Sequence, residues 1–158
     1  MTRVAIFLDV QNLYYTARQT FGRNVDYNAL WARVTAGRQV VAAYAYAVDR
    51  GDEKQRQFQN ILRAIGFTVK LKPFVQRADG SAKGDWDVGI TIDILEWAAD
   101  AEVIVLASGD GDFAILADHI RAKQGCRVEV YGVQPLTAAA LARAADDFVA
   151  IDGDLLLG

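Results

Sequence analysis

Short apolar runs alternate along the chain with longer segments in which apolar residues recur three and four positions apart. The short runs are rich in Val, Ile, Tyr and Phe, which favour strands. They predict five strands, Arg3–Leu8, Val40–Val48, Phe67–Leu71, Val103–Ala107 and Arg127–Tyr131, with Phe148–Ile151 as a candidate sixth. The segments between them predict six helices: Asn12–Phe21, Tyr27–Val34, Asp52–Ile65, Trp86–Ala99, Phe113–Lys123 and Leu136–Ala145.

This alternation of strand and helix is typical of a parallel sheet covered by helices on both faces. Val4–Leu8 and Val103–Ala107 contain almost only apolar residues, which indicates central, buried strands. The chain has 158 residues, a common size for one domain, and contains no repeat or Pro/Gly/Ser-rich linker. We therefore expect one α/β domain over residues 1–158, a three-layer α/β/α Rossmann-like fold with a mostly parallel sheet of five or six strands.

Composition narrows the class of protein. Hydrophobic residues make up 53% and charged residues 23% of the chain, which is typical of a folded domain. Cys126 is the sole cysteine, which excludes an intramolecular disulfide and a multi-cysteine zinc site. The apolar run before Asp9 is too short for a signal peptide, and no run approaches the roughly 18 apolar residues of a membrane span. We expect a cytoplasmic protein without membrane contact.

Aspartates follow the central predicted strands. Asp9 comes directly after the first strand, and Asp110 and Asp112 lie in the segment Ser108–Phe113 after the fourth. Asp87 stands at the start of a predicted helix. In open parallel sheets, functional groups gather at the carboxyl ends of the strands. The sequence therefore predicts that four carboxylates from three segments meet at one edge of the sheet.

Carboxylates packed together repel one another unless a cation screens them. Oxygen ligands without histidine or cysteine favour a hard cation, so we expect Mg²⁺ or Mn²⁺. Gly109 and Gly111 should let the chain turn tightly and present Asp110 and Asp112, and Asn12 could orient Asp9 or bind a phosphate. Each piece alone has a structural alternative, since Asp-Gly forms turns and aspartate caps helices. The coincidence of all three segments favours a metal site.

Basic residues are concentrated in one part of the chain. The whole chain has a net charge of −3, but the segment from Arg50 to Lys83 contains eight bases and three acids. Such a segment suits a polyanionic partner, although it could also be a solvated surface. The candidate substrate-binding residues are Lys54, Arg56, Lys70, Lys72 and Lys83.

Three ordered motifs resemble the NYN domain family, including its LabA-like bacterial proteins, a branch of the PIN-like nuclease superfamily. Val4–Leu13 is similar to the family's first strand with its acid and trailing Asn, Lys83–Asp93 to its middle motif, and Ser108–Phe113 to its third. The resemblance extends from about Arg3 to Ile151. It implies a PIN-like fold and metal-dependent cleavage of RNA, which we expect to be single-stranded.

The resemblance also assigns residue roles. Metal-binding and catalytic roles fall on Asp9, Asp87, Asp110 and Asp112, and supporting roles on Asn12, Ser108 and Asp93. The middle motif of the family usually reads Lys-Gly-x-Asp, whereas two residues separate Gly84 from Asp87 here. The spacing to Asp93 favours Asp87 as the ligand, with Asp85 as the alternative, and the role of Lys83 is open.

Two other functions compete with the nuclease. Gly109–Gly111 is similar to the late metal motif of haloacid-dehalogenase-type phosphatases, but Gln11 stands where that chemistry needs its second acid. A catalytically weak RNA-binding or protein-interaction module of the same fold is the other alternative. Tyr14 and Tyr15 could stack on bases, although packing is the commoner use of such residues. The sequence leaves the oligomeric state open, a homodimer included.

Overall fold

The computed structural model describes residues 1–73, 75–76, 82–83 and 85–158, with the side chains of residues 73, 75, 76, 82 and 83 outside the description. Eight strands occur in these ranges. They are β1 (Thr2–Asp9), β2 (Arg38–Asp49), β3 (Thr68–Pro73), β4 (Val75–Gln76), β5 (Ala82–Lys83), β6 (Val103–Ala107), β7 (Arg127–Gly132) and β8 (Asp147–Ala150). Six of them form one parallel sheet in the order β3-β2-β1-β6-β7-β8, and β4 pairs with β5 as a short antiparallel hairpin.

The order of the strands places the switch point of the sheet between β1 and β6. From β1 the chain builds outward through β2 and β3, then crosses back to β6 and builds outward through β7 and β8. In the register of these two central strands, Leu8 lies beside Ala107, so both strands end at the same edge. This is the position at which parallel sheets bind their ligands.

Helices cover both faces of the sheet, as the sequence predicts. They are α1 (Val10–Phe21), α2 (Tyr27–Thr35), α3 (Glu53–Ile65), α4 (Asp87–Trp97), α5 (Ala114–Gln124) and α6 (Ala139–Ala144). Alternate residues of β1 belong to two separate cores: Ile6 and Leu8 pack with residues of α1, α2 and α3, whereas Phe7 packs with residues of α4, α5 and α6. The fold is therefore the predicted three-layer α/β/α arrangement, with six strands in the sheet.

One local prediction was wrong, and one pair of strands was missed. The last helix was expected over Leu136–Ala145, but a 3-10 turn at Gln134–Leu136 comes first and α6 begins only at Ala139. Thr137 has an extended backbone, which separates the turn from the helix. The β4–β5 hairpin was not predicted, because two residues in each strand are too few to produce an alternating pattern.

None of the described helices combines the length and the apolar character needed to cross a bilayer.

Candidate metal centre

Asp9 ends β1 and is only 8% exposed. Its Oδ2 accepts a hydrogen bond of 2.9 Å from the Ser108 hydroxyl, and its Oδ1 accepts one of 3.4 Å from the backbone N–H of Asn12. Burial raises the pKa of Asp9 to about 6 in spite of these two bonds, which favour the charged form, and the nearby Asp110 raises it further. Asp9 is thus a buried carboxylate that is held in place from two elements.

The loop after β6 is tied to the start of α1. The side-chain oxygen of Asn12 accepts a hydrogen bond of 2.9 Å from the backbone N–H of Gly109. Ser108 uses its hydroxyl twice, donating to Asp9 and accepting from the N–H of Asp110 at 3.1 Å. Asn12 and Ser108 therefore join the ends of β1 and β6, and Asn12 contacts Asp9 through its backbone.

Asp110 and Asp112 belong to a 3-10 turn. The Oδ1 of Asp110 accepts a hydrogen bond of 2.9 Å from the N–H of Asp112, so Asp110 caps the turn Gly111–Phe113. The chain turns tightly here, as predicted, but neither Gly109 nor Gly111 has a positive φ. A Cβ atom on Gly109 would lie 2.7 Å from the carbonyl oxygen of Leu136. Close approach to the next segment, rather than a tight turn, requires glycine there.

Three carboxylates converge near Asp9, but Asp9 itself, although predicted as a metal ligand, is not one of them. One oxygen from each of Asp87, Asp110 and Asp112 can be chosen so that all three atoms lie within 4.8 Å of one another. Two oxygens on opposite sides of a bound Mg²⁺ are roughly 4.2 Å apart, so a small closure of this cluster accommodates the ion. All its ligand atoms are carboxylate oxygens, which fits Mg²⁺ or Mn²⁺. We call these three residues the acidic cluster.

The pKa of Asp87 shows the electrostatic character of the acidic cluster. Partial burial and the neighbouring carboxylate of Asp110 raise it to about 7, with smaller contributions from Asp85 and Asp9. Asp85 lies outside the acidic cluster, and its Oδ1 accepts from the N–H of Asp87 at 3.4 Å. Of the two alternatives left open by the sequence, Asp87 is thus the one that the structure brings next to Asp110 and Asp112.

Trp86 fixes the start of α4, which carries Asp87. The indole N–H donates a hydrogen bond of 2.9 Å to the carbonyl of Ala47 in β2, and the ring packs 5.4 Å from that of Tyr46. The ring also folds back onto its own helix, because a Cβ atom on Gly89 would lie 2.6 Å from it. Trp86 therefore acts by packing and by one hydrogen bond, which hold the start of α4 against β2.

Two of the predicted substrate-binding lysines contact α4 or the two residues before it. Lys72 donates a hydrogen bond of 2.9 Å to the carbonyl of Asp85, and its ammonium lies 5.3 Å from the centre of the Trp86 ring. Lys70 lies 2.6 Å from Asp93, which also accepts a hydrogen bond of 2.7 Å from the hydroxyl of Tyr46. Asp93 therefore connects α4 to β2 and β3, and it is turned toward these partners.

The other predicted basic residues lie farther along the sheet edge. Lys54 and Arg56 are exposed in the first turn of α3, and Arg56 lies 3.5 Å from Glu53. Lys83 belongs to β5, but its side chain is outside the described residues.

The family follows from comparison with known proteins. The sequence profile of the NYN domain matches residues 3–152. The chain belongs to the NYN domain family. NYN domains are generally nucleases, and the acidic cluster fits a metal-dependent one.

Individual relatives agree with this assignment. The chain is 31% identical to the low amplitude and bright protein LabA of Synechococcus elongatus, covering 94% of this chain and 83% of LabA. It is 53% identical to a protein of unknown function from Vibrio parahaemolyticus. The crystal structure of that protein superposes on this NYN domain with a TM-score of 0.95, and the match covers 99% of this chain and 96% of the Vibrio chain. The ribokinase of Giardia lamblia is 12% identical and superposes with a TM-score of 0.51. That match covers 94% of this chain and 57% of the ribokinase chain, and at this identity it shows a shared fold alone.

Proposed function

We propose that this protein hydrolyses RNA phosphodiester bonds with Mg²⁺ or Mn²⁺ as cofactor. The observation that supports it is the convergence of Asp87, Asp110 and Asp112 beside the buried Asp9, at the switch point of a parallel sheet. Three carboxylates at such close range, with a fourth buried nearby, destabilise a protein that has no use for them. Family membership supports a nuclease as that use.

Each acid has a distinct task in this proposal. Asp87, Asp110 and Asp112 hold the cation, and Asp9 adds negative charge from behind, kept in place by Ser108 and Asn12. The bound cation would polarise the attacking water and neutralise charge on the scissile phosphate. Since attack at phosphorus by water expels the 3′ oxygen, the products should carry a 5′-phosphate and a 3′-hydroxyl.

The basic residues divide into two groups in this proposal. Lys54 and Arg56 are exposed and are the candidates for contact with the RNA backbone, which the metal centre alone would not hold. Lys70 and Lys72 bind Asp93 and the Asp85 carbonyl, so we assign them the placement of α4 and the acidic cluster. Any contact of Lys70 or Lys72 with the substrate would come in addition to that task.

Both alternatives lack a supporting observation. A binding module without activity would not need Asp87 and Asp110 to share a site that raises the pKa of Asp87. A haloacid-dehalogenase-type phosphatase needs a second acid two residues after Asp9, where Gln11 stands. The single-stranded form of the RNA and a cytoplasmic location stay predictions.

Cleavage of a labelled, unstructured oligoribonucleotide tests the proposal. We expect hydrolysis with Mg²⁺ or Mn²⁺, none in EDTA, and fragments with 5′-phosphate ends. Asp110→Asn should lower the rate by roughly a hundredfold to a thousandfold, the usual cost of losing one group that stabilises transition-state charge. Asp118→Asn, an exposed aspartate on α5, is the control and should retain the wild-type rate.

Two results would contradict the proposal. Fragments ending in a 2′,3′-cyclic phosphate would mean that the 2′-hydroxyl of the RNA attacks in place of water. Cleavage that persists in EDTA and in Asp110→Asn would remove both the metal and the acidic cluster from the reaction.

A further inference from the structure

A groove of about 840 Å³ lies over the carboxyl ends of β1 and β2, and no residue of the acidic cluster lines it. Val10 and Gln11, the two residues after Asp9, form one wall, and Ala47 and Val48 at the end of β2 line it as well. Residues of α2 and α3 complete the lining. The volume is within the range of small-molecule binding sites. A ligand in the groove would be adjacent to the residue that begins the proposed catalytic site.

Two tyrosines stand on the α1 wall of the groove. Gln11, Tyr14 and Tyr15 are spaced three and four residues apart, which places them on one face of α1. Tyr14 is 50% and Tyr15 is 51% exposed, and their rings meet edge to face with centres 5.4 Å apart. Helical rise of about 1.5 Å per residue puts this pair one to two turns from Asp9. In proteins that bind single-stranded nucleic acids, the bases stack on exposed aromatic rings of this kind.

The groove also contains a buried amide. Gln59 on α3 is 4% exposed, and its side chain makes no hydrogen bond with any part of the chain that the structure describes. No buried side-chain nitrogen or oxygen within the described ranges is both sealed from solvent and without a partner. The polar atoms of Gln59 therefore retain accessible surface, and the residue lines the groove. A primary amide presents one acceptor and two donors, which match the edge of a nucleobase.

Three carboxylates line the groove, those of Asp26, Asp52 and Glu53, and each has a partner; that of Glu53 is Arg56, at 3.5 Å. Asp26 accepts a hydrogen bond of 3.1 Å from the N–H of Ala29, and Asp52 accepts one of 2.8 Å from the N–H of Gln55. Lys54, in contrast, is exposed on the groove and has no ion pair among the described residues. The groove thus offers aromatic faces, an unused amide and a cation at its rim. This set suits a nucleotide chain with its bases inward and its phosphates at the rim.

We propose that the groove binds unpaired bases of single-stranded RNA, stacked on Tyr14 and Tyr15 and hydrogen-bonded by the amide of Gln59. The inference deepens the proposed nuclease function, because it assigns how the substrate is held while its backbone reaches Asp87, Asp110 and Asp112. An amide pairs with adenine through one donor and one acceptor, so adenine is the base we expect the groove to prefer.

Binding measured without cleavage tests the groove separately from the nuclease activity. Fluorescence anisotropy in EDTA compares a labelled oligoadenylate with an abasic oligomer of the same length and charge. Wild type should bind the oligoadenylate more tightly than the abasic chain. The double variant Tyr14→Ala/Tyr15→Ala should lose most of that difference, with affinity for oligoadenylate lower by roughly tenfold to a hundredfold. Its affinity for the abasic oligomer should not change.

Matched variants separate stacking from charge and from folding. Tyr14→Phe/Tyr15→Phe keeps both rings and should bind as wild type does. Lys54→Glu should weaken the binding of both oligomers to the same extent and reduce the salt dependence of binding, because Lys54 is expected to contact phosphates. Gln59→Leu should keep the preference for bases over the abasic chain but lose the preference for adenine over uracil; its melting temperature checks that it is folded.

The outcomes distinguish this inference from the proposed function. Equal binding of both oligomers by wild type, or unchanged binding by the double alanine variant, overturns the groove even if RNA is cleaved. Base-dependent binding that the alanine variant loses supports the groove even if no RNA is hydrolysed, and in that case it is the nuclease proposal that fails.

Discussion

Charged residues are arranged differently at the amino edge of the central sheet, where the strands begin, and at its carboxyl edge, where they end. At the amino edge, acids and bases alternate and pair. Arg38 binds both carboxylate oxygens of Glu129, at 2.9 and 2.7 Å, and Arg127 pairs with Asp147. At the carboxyl edge, three carboxylates converge with a fourth buried behind them, and the pKa of Asp87 is raised to about 7.

Both edges contain buried carboxylates, so burial alone does not distinguish them. Glu129 is 6% and Asp9 is 8% exposed. Glu129 has guanidinium partners, whereas Asp9 has a hydroxyl and a backbone N–H and faces other acids. Removing the partner of a compensated buried carboxylate is costly, whereas an uncompensated group of carboxylates is typical of a site that binds a cation.

Breaking the pairing at the amino edge should have the largest effect on stability. Arg38→Met leaves Glu129 buried with only Arg127, at 3.4 Å, as a remaining charged partner. Removing one member of a buried pair costs roughly 3–5 kcal/mol, and the partial exposure of Arg38 reduces this to about 2 kcal/mol of unfolding free energy. Urea denaturation of the variant checks this value.

A matched control lies at the same edge. Arg3 pairs with Glu102 at 3.0 Å, but both side chains are 48% exposed. Arg3→Met should therefore cost only roughly 0–1 kcal/mol. If the two variants were equally stable, the paired charges at the amino edge would not contribute through burial. Arg38→Met should also keep the full response of the melting temperature to Mn²⁺, because the acidic cluster is unaltered.

Removing one charge at the carboxyl edge should have the opposite sign and a smaller size. In EDTA, Asp110→Asn should be more stable than wild type by roughly 1–2 kcal/mol, because it removes repulsion between carboxylates. At a distance of about 5 Å and an effective dielectric constant near 20, two carboxylates repel each other by about 3 kcal/mol before relaxation. Asparagine also keeps the oxygen that caps the turn Gly111–Phe113. Mn²⁺ should raise the melting temperature of wild type much more than that of the variant.

Asp52→Asn is the control for the cap itself. Asp52 caps α3 through the N–H of Gln55 and lies outside the acidic cluster. The variant should not gain stability in EDTA, and its response to Mn²⁺ should equal that of wild type. An Asp110→Asn variant that melts lower than wild type in EDTA, with a normal Mn²⁺ response, would show that Asp110 serves only the turn.

The smallest expected effect is a change in the pH dependence of stability. The pKa values of Asp9 and Asp87 rise from 3.8 to about 6 and about 7 on folding, so the folded state binds more protons in this window. Stability of the metal-free protein should therefore fall as pH increases from about 4 to 7. Asp110→Asn should make this fall shallower by less than about 1 kcal/mol, because burial is the largest single cause of both pKa shifts. Melting curves at several pH values in EDTA measure the difference.

The sequence was sufficient for the fold because its signals are local. Val4–Leu8 and Val103–Ala107 show their central position through composition alone, and both strands lie where the pattern predicts. The short turn at Gln134–Leu136 was misjudged as part of a helix, because Leu136 and the alanines after it fit a helical pattern. Local signals do not show that the extended backbone of Thr137 and Ala138 separates this turn from the helix.

Site geometry depends on contacts between distant residues, which the sequence does not show. Aspartates after β1 and β6 were identifiable because strand ends place them. The use of Lys70 was not, since its partner Asp93 lies 23 residues away on another element. The acidic residue next to Asp110 and Asp112 was open between Asp85 and Asp87 for the same reason. Trp86 and Lys72 position that segment through contacts with β2 and with Asp85 itself.

The hydrogen bond from Ser108 to Asp9 joins residues that are 99 positions apart. A ribosome releases the chain from its amino end, so β1, β2 and β3 emerge well before β6. The acidic cluster also needs Asp110 and Asp112, which come later still. During synthesis, therefore, the nascent chain cannot assemble the acidic cluster until Asp112 has left the ribosome, and the proposed nuclease activity would begin only after that point.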